Sequence, residues 1–199
     1  MNKDKSLISP HGGYRRLKSF QLSQLIFDVT VRFCDKFLNN KSRTIDQMVQ
    51  AARSGVQNIA EGSQSSGTSK KTELRLTNVS RSSLEELKLD YEDFLRQNSL
   101  VILKYDDPIL LRFKKLQCSS IEEFSKWVIE EKKIQQNLIN NKSPLLSSSA
   151  LVANATLSLL NLTCYLLDQQ IKKLAIDFEN DGGFTEKLYR FRKSKREGF

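Results

Sequence analysis

The chain has 199 residues, 39% hydrophobic and 28% charged, a balance that excludes intrinsic disorder and leaves room for one well-cored domain. Three prolines and eight glycines favour long helices, and no apolar run reads as a membrane span. The net charge of +9 is concentrated at the ends: residues 1–18 and 184–199 each carry +4, and the 165 residues between them only +1. Lys3 and Lys5 against Asp4 contribute to the first block, and Glu186 and Glu197 offset the second. Basic ends suit a polyanion such as nucleic acid, or simply keep the protein soluble. The opening MNKDKSLISPHGG lacks the apolar core of a signal peptide. Cys34, Cys118 and Cys164 are isolated and odd in number, as expected of small buried hydrophobes in a reducing compartment. The expected location is the cytoplasm.

In chain order, residues 1–16 form a basic extension. A first helix is predicted over 17–38. Phe20, Phe27, Val31, Cys34 and Leu38 make one apolar stripe, and Leu22, Ile26, Val29, Phe33 and Phe37 a second beside it. Together they cover roughly 200° of arc, so this helix is expected to be buried on two sides. One side would meet its own bundle, the other a second subunit or the chain's own insertion.

A second helix starts near Thr44, with Ser42 or Thr44 as N-cap and Asp46 in its first turn. Ala51, Ala52, Gly55 and Ala60 are small enough to admit a close neighbour. GSQSSG at 62–67 reads as a turn. The third helix opens at Thr68 or Ser69 and runs to about Gln97. Its first half is basic through Lys70, Lys71, Arg75 and Arg81, and its second half is acidic, an order opposed to the helix dipole. Residues 98–149 form an insertion and connector, with a turn at Asp106-Asp107-Pro108 and a helix over 120–140. The last helix spans 150–179 and stops at Gly182-Gly183, leaving 181–199 as a basic suffix. The expected fold is all-α: an antiparallel up-down four-helix bundle over 17–180 with an inserted helical segment and basic terminal extensions.

Both ends place an aromatic residue after a glycine pair and beside bases: Tyr14 before Arg15 and Arg16, and Phe184 ahead of Tyr189-Arg190-Phe191-Arg192. Such rings can stack on nucleic-acid bases, or they can pin the tails to the bundle. Signs of catalysis are weak. His11 is the only histidine, and its sequence context offers no triad. Metal-ligand spacings and a phosphate-binding loop are missing from the pattern. The arginine-to-histidine motif of HEPN-type ribonucleases would need arginine at the place of Ser6. No cofactor is expected.

RSGVQNIAE at 53–61 followed by Gly62, and SRSSLEEL at 80–87, resemble the bacterial "four helix bundle protein" family. That family includes proteins encoded in intervening sequences of large-subunit ribosomal RNA genes and the accessory variability determinant of diversity-generating retroelements. GGFTEKLYR at 182–190 is similar to the suffix of a longer branch. The resemblance implies an up-down bundle that assembles into a ring, a homopentamer in family members, with a basic surface for nucleic acid. In retroelement members the partner is a reverse transcriptase. Asn58, Glu61, Gly62, Arg81 and Glu85 match the motif, and its polar positions either touch a ligand or join helices to each other.

The resulting expectation is a non-enzymatic, homo-oligomeric protein that binds RNA or DNA without sequence preference, through phosphates and with no membrane partner. Its candidate contacts are Arg15, Arg16, Lys18, Lys70, Lys71, Arg75, Arg190, Arg192, Lys193, Lys195 and Arg196. A protein–protein scaffold is the alternative. An enzyme with an unrecognised site comes third.

Overall fold

The structure, a computed structural model, describes residues 8, 11–39, 42–137 and 145–197. Lys3, Asp4, Lys5, the first half of the 140–149 connector and the expected end of the inserted helix at Asn140 lie outside the described residues. Among the described residues all regular structure is helical. After a 3₁₀ turn at Tyr14–Arg16 come α1 (Lys18–Phe37), α2 (Arg43–Ser65), α3 (Lys70–Gln97), α4 (Pro108–Leu116), α5 (Ile121–Asn137), α6 (Ser148–Asp181) and α7 (Phe184–Glu197).

Helix α1 packs on α2 and α6, and α3 packs on the same two helices. The buried core runs through Ile26, Phe33, Met48, Ile59, Leu84, Leu87, Tyr91, Leu151, Leu160 and Leu167. Several polar groups inside it are hydrogen-bonded within or between the helices. The Ser23 hydroxyl donates to the Ser19 carbonyl and the Thr30 hydroxyl to that of Ile26, while the Tyr91 hydroxyl donates to Thr30 Oγ1 at 3.1 Å.

Small residues let α2 and α3 approach closely. A Cβ on Gly55 would lie 2.5 Å from Leu84 Cδ2, and one on Gly62 3.3 Å from the Glu73 carbonyl oxygen. The Ser80 hydroxyl donates to the Gly55 carbonyl at 2.6 Å, and Ser54 and Ser83 hydroxyls meet at 2.9 Å. This corrects the turn expected at 62–67. The helix continues through Gly62, which serves close approach rather than a bend, and ends at Ser65. Ser69 then caps α3 by accepting from the Thr72 amide.

The insertion explains the second apolar side of α1. Phe113, Phe124 and Trp127 form a ring cluster with centroids 4.7–6.0 Å apart. With Cys118 they join the core of the long helices, and α5 lies against α1 and α6. The chain's own insertion therefore covers that side. Asp106-Asp107-Pro108 is more than the expected turn: Asp107 Oδ1 accepts from the Ile109 amide at 2.8 Å and Pro108 stands at the first position of α4. Arg112 bridges α4 to α5 through two bonds to Glu131, whose carboxylate is 1% exposed. The extended stretch before α4 is held by buried Asn154, which accepts from the Leu103 amide and donates to the Val101 carbonyl.

Helix α6 departs from expectation in composition. The helical stretch beginning at Ser148 contains an 18-residue window of mean hydropathy 1.6, apolar enough by length and composition to cross a membrane. Of that window 67% is buried inside the protein, as befits a helix enclosed by neighbours on several sides.

The three cysteines are free and buried, as the sequence implies. Burial pushes the Cys34 thiol up to about 11, helped by Asp90, and the Cys164 thiol up to about 11, helped by Glu85. Both stay protonated at neutral pH, so we expect almost no alkylation at pH 8 until denaturant is added, measured by mass spectrometry. Unfolded thiols ionise near their ordinary value and folded ones only near 11, so folding stability falls as pH rises across that window. Rapid labelling of the native protein at pH 8 would contradict the burial.

Candidate nucleic-acid interface

The polypeptide before α1 runs along the end of α2 rather than away from it. Gly12 takes a φ of +78° and donates its N–H to the Ser63 carbonyl at 3.0 Å, and the His11 ring lies against Gly67. A side chain at Gly12 would meet the Gln64 amide group at 3.0 Å. Tyr14 sets its ring edge-on to Phe20 at 4.7 Å, which pins the segment. Its ring is covered by the Arg15 guanidinium at 5.3 Å, and the Arg15 carbonyl accepts from Gln21 Nε2. Arg15, Arg16 and Lys18 are thereby presented to solvent from a fixed backbone.

The same end of the molecule carries the start of α3 and the last turns of α6. The Ser19 hydroxyl donates to Gln170 Oε1 at 3.3 Å, and Arg81 Nε donates to Asp168 Oδ1 at 2.9 Å. From these anchors the first turns of α3 and the final turns of α6 extend together beyond the start of α1. Lys71 and Arg75 are exposed there; Lys70 is half-buried and held by Glu73 at 2.8 Å, so its charge is partly spoken for. Lys172 and Lys173, which sequence reasoning passed over inside an apolar helix, are exposed one turn past Asp168. The polar run Gln169-Gln170 before them was the available signal. Glu61, Asp177 and Glu179 temper the positive charge.

Helix α7 is rooted at this end too. Gly182 has a φ of +72° and donates its N–H to the Phe178 carbonyl, closing α6, and Glu186 Oε2 accepts from the Gly183 amide at 2.9 Å to open α7. No helix was foreseen in the suffix. Its apolar positions Phe184 and Leu188 are half-buried, while Arg190, Arg192, Lys193, Lys195 and Arg196 are exposed. Of the residues that could pin the tails, Tyr14 packs on Phe20, Phe184 and Leu188 are half-buried, and Phe191 is 36% exposed. Tyr189 is 69% exposed, and Phe191 carries Lys195 Nζ 5.7 Å from its ring centre.

Of the polar motif residues, Arg81 joins two helices directly, while Asn58 and Glu85 bond within their own helices. Asn58 Nδ2 donates to both the carbonyl and the hydroxyl of Ser54, which meets Ser83 on α3. Arg81 reaches across to Asp168 and lies 3.8 Å from Glu85, and Glu85 in turn accepts from Lys88. The hydrogen bond from Arg81 to Asp168 raises the guanidinium pKa above its usual value. Gly62 is buried in the helix contact, and Glu61 alone of the five is exposed.

An open groove of about 440 Å³ lies between the start of α1 and the start of α5 and is lined by Lys18, Gln21, Asp28, Ser119, Ser120 and Glu122. Among the described residues, no three of His, Cys, Asp and Glu gather as a metal set. The chain matches no protein-family model, no curated protein and no solved structure.

Proposed function

We propose that α1, α2, α3 and α6 form an antiparallel up-and-down bundle. We further propose that this cytoplasmic protein is a non-enzymatic homo-oligomer that binds RNA or DNA through phosphate contacts at one end of that bundle. For the topology, Gly55 meets Ser80 while Gly62 meets Glu73, and Arg81 meets Asp168 while Ser19 meets Gln170. For the function, one observation carries the reading. Basic segments that are far apart in sequence, around Arg15, around Lys71 and around Arg192, are rooted at the same end. Cations gathered on a polyanion release its condensed counterions, which gives affinity without sequence preference.

Assembly, a pentamer in particular, and a reverse transcriptase or other nucleic-acid-processing partner rest on the family resemblance alone. The second apolar side of α1 no longer argues for a subunit contact, because the insertion fills it. Light scattering coupled to size exclusion measures the oligomer directly.

Binding is tested by fluorescence anisotropy with a short mixed-sequence RNA or DNA between 50 and 200 mM salt, concentrations over which a binder making several phosphate contacts loses on the order of 10³ in affinity. Removing 184–199 should abolish most of the affinity and leave the oligomer intact. A titration flat in salt would overturn the reading. Unchanged binding after truncation would restrict the interface to the α2–α3 end. The scaffold alternative requires no nucleic-acid binding at all.

A further inference from the structure

The two sides of α7 differ in a way that its composition alone does not reveal. Phe184 and Leu188, one turn apart, are half-buried together with Lys187. On a neighbouring face, with Arg192 one turn beyond Leu188, stand Tyr189, Arg192, Lys193 and Arg196, at the i, i+3, i+4 and i+7 spacing that stacks side chains along one side of a helix. All four are exposed, and Tyr189 presents 69% of its surface. An aromatic ring with three cations beside it on one solvent-facing helix surface is not what a docking tail needs, since docking would turn the ring inward.

Resting on the nucleic-acid reading above, we propose that this face is a stacking site for unpaired bases, and that the protein's nucleic-acid ligand is single-stranded. A tyrosine ring offers any base a planar apolar surface, and such stacking is tolerant of sequence. Arg192, Lys193 and Arg196 sit roughly 4.5–10 Å along the axis from the ring, within reach of the phosphates on either side of a stacked nucleotide. A base inside a duplex would first have to leave its stack, which costs energy that a single strand does not owe. Phe191 does not compete for the role, because Lys195 lies over its ring.

The experiment is anisotropy with two probes at fixed moderate salt: an unstructured mixed-sequence 12-mer single strand and a duplex of equal length, each with the full chain. The wild type should favour the single strand. Tyr189→Ala should weaken single-strand binding about tenfold or more while leaving duplex binding and the salt slope unchanged, and Tyr189→Phe should restore it. Arg192→Ala with Arg196→Ala should weaken both probes and flatten the salt slope. Equal loss, or no loss, on both probes in Tyr189→Ala would overturn the stacking site while leaving phosphate binding in place. Absence of binding to either probe by the wild type would overturn the functional reading itself, and the stacking site with it. Tyr189 is exposed, so circular dichroism of each variant should match the wild type.

Discussion

Replacing Gly55 with alanine should destabilise the protein by about 1–2 kcal/mol, although the same change in an exposed helix would stabilise it by about 1 kcal/mol. The reversal comes from the α2–α3 contact. The added methyl would lie 2.5 Å from Leu84 Cδ2 and 2.8 Å from its Cγ, and Leu84 is fully buried with nowhere to turn. The helices must part, and parting strains the 2.6 Å bond from the Ser80 hydroxyl to the Gly55 carbonyl and the Ser54–Ser83 pair. Thermal unfolding should move down by about 2–8 °C. A double-mutant cycle separates this from any effect on the unfolded chain. Leu84→Ala alone leaves a cavity and costs about 2–5 kcal/mol. In that background Gly55→Ala should be neutral or stabilising, because its methyl fills part of the hole. A stabilising Gly55→Ala in the wild-type background would mean that the helices are not in close contact at Gly55.

The larger loss is expected at the ion pair of the insertion. Arg112→Met should cost about 3–5 kcal/mol, because it strands the Glu131 carboxylate, 1% exposed, without its Arg112 partner. The reverse deletion should cost less. The Arg112 side chain is 39% exposed, so after Glu131→Leu it can turn towards water. Pairing the two changes should recover most of the stability, since an apolar pair of similar volume needs no desolvated charge. Trp127, the single tryptophan, sits on α5 beside Phe113 and reports the insertion directly. Its emission should shift to the red at a lower urea concentration in Arg112→Met than in Glu131→Leu. Equal midpoints for the two single variants would mean that the pair is solvated and not buried as seen.

How much of this was legible beforehand depended on whether a segment speaks through periodicity or through context. The long helices announced themselves because Phe20, Phe33, Leu84, Leu87 and Leu167 recur at helical spacing and all end up buried. The doubly apolar α1 is buried along most of both stripes, with Val31 left 41% exposed, but the sequence could not choose between a subunit and the insertion. That choice depends on where Phe113, Phe124 and Trp127 arrive in space. The stop at Gly62 was misplaced because glycine marks both bends and close contacts, and only the nearness of the Glu73 carbonyl separates the two. Helix α4 was missed although Asp107-Pro108 is a good helix start. Its nine residues are too few for an apolar period to stand out. At the candidate interface the basic residues were visible as composition. Their common root was not, because it follows from the bond between Gly12 and Ser63 and from the register of α3 on α6.

On the proposed nucleic-acid reading, that common root has a consequence for how tightly a strand would be held. The segment bearing Arg15 and the helix bearing Arg192 are separate arms on one body, so once the first engages a strand the second meets it as an intramolecular event. For a short tether the effective concentration is on the order of millimolar. Two arms of weak individual affinity then act as a chelate, and their avidity exceeds what either contributes alone. Cutting one arm should therefore remove far more than half of the binding free energy's effect on affinity, and supplying that arm as a free peptide should not restore it.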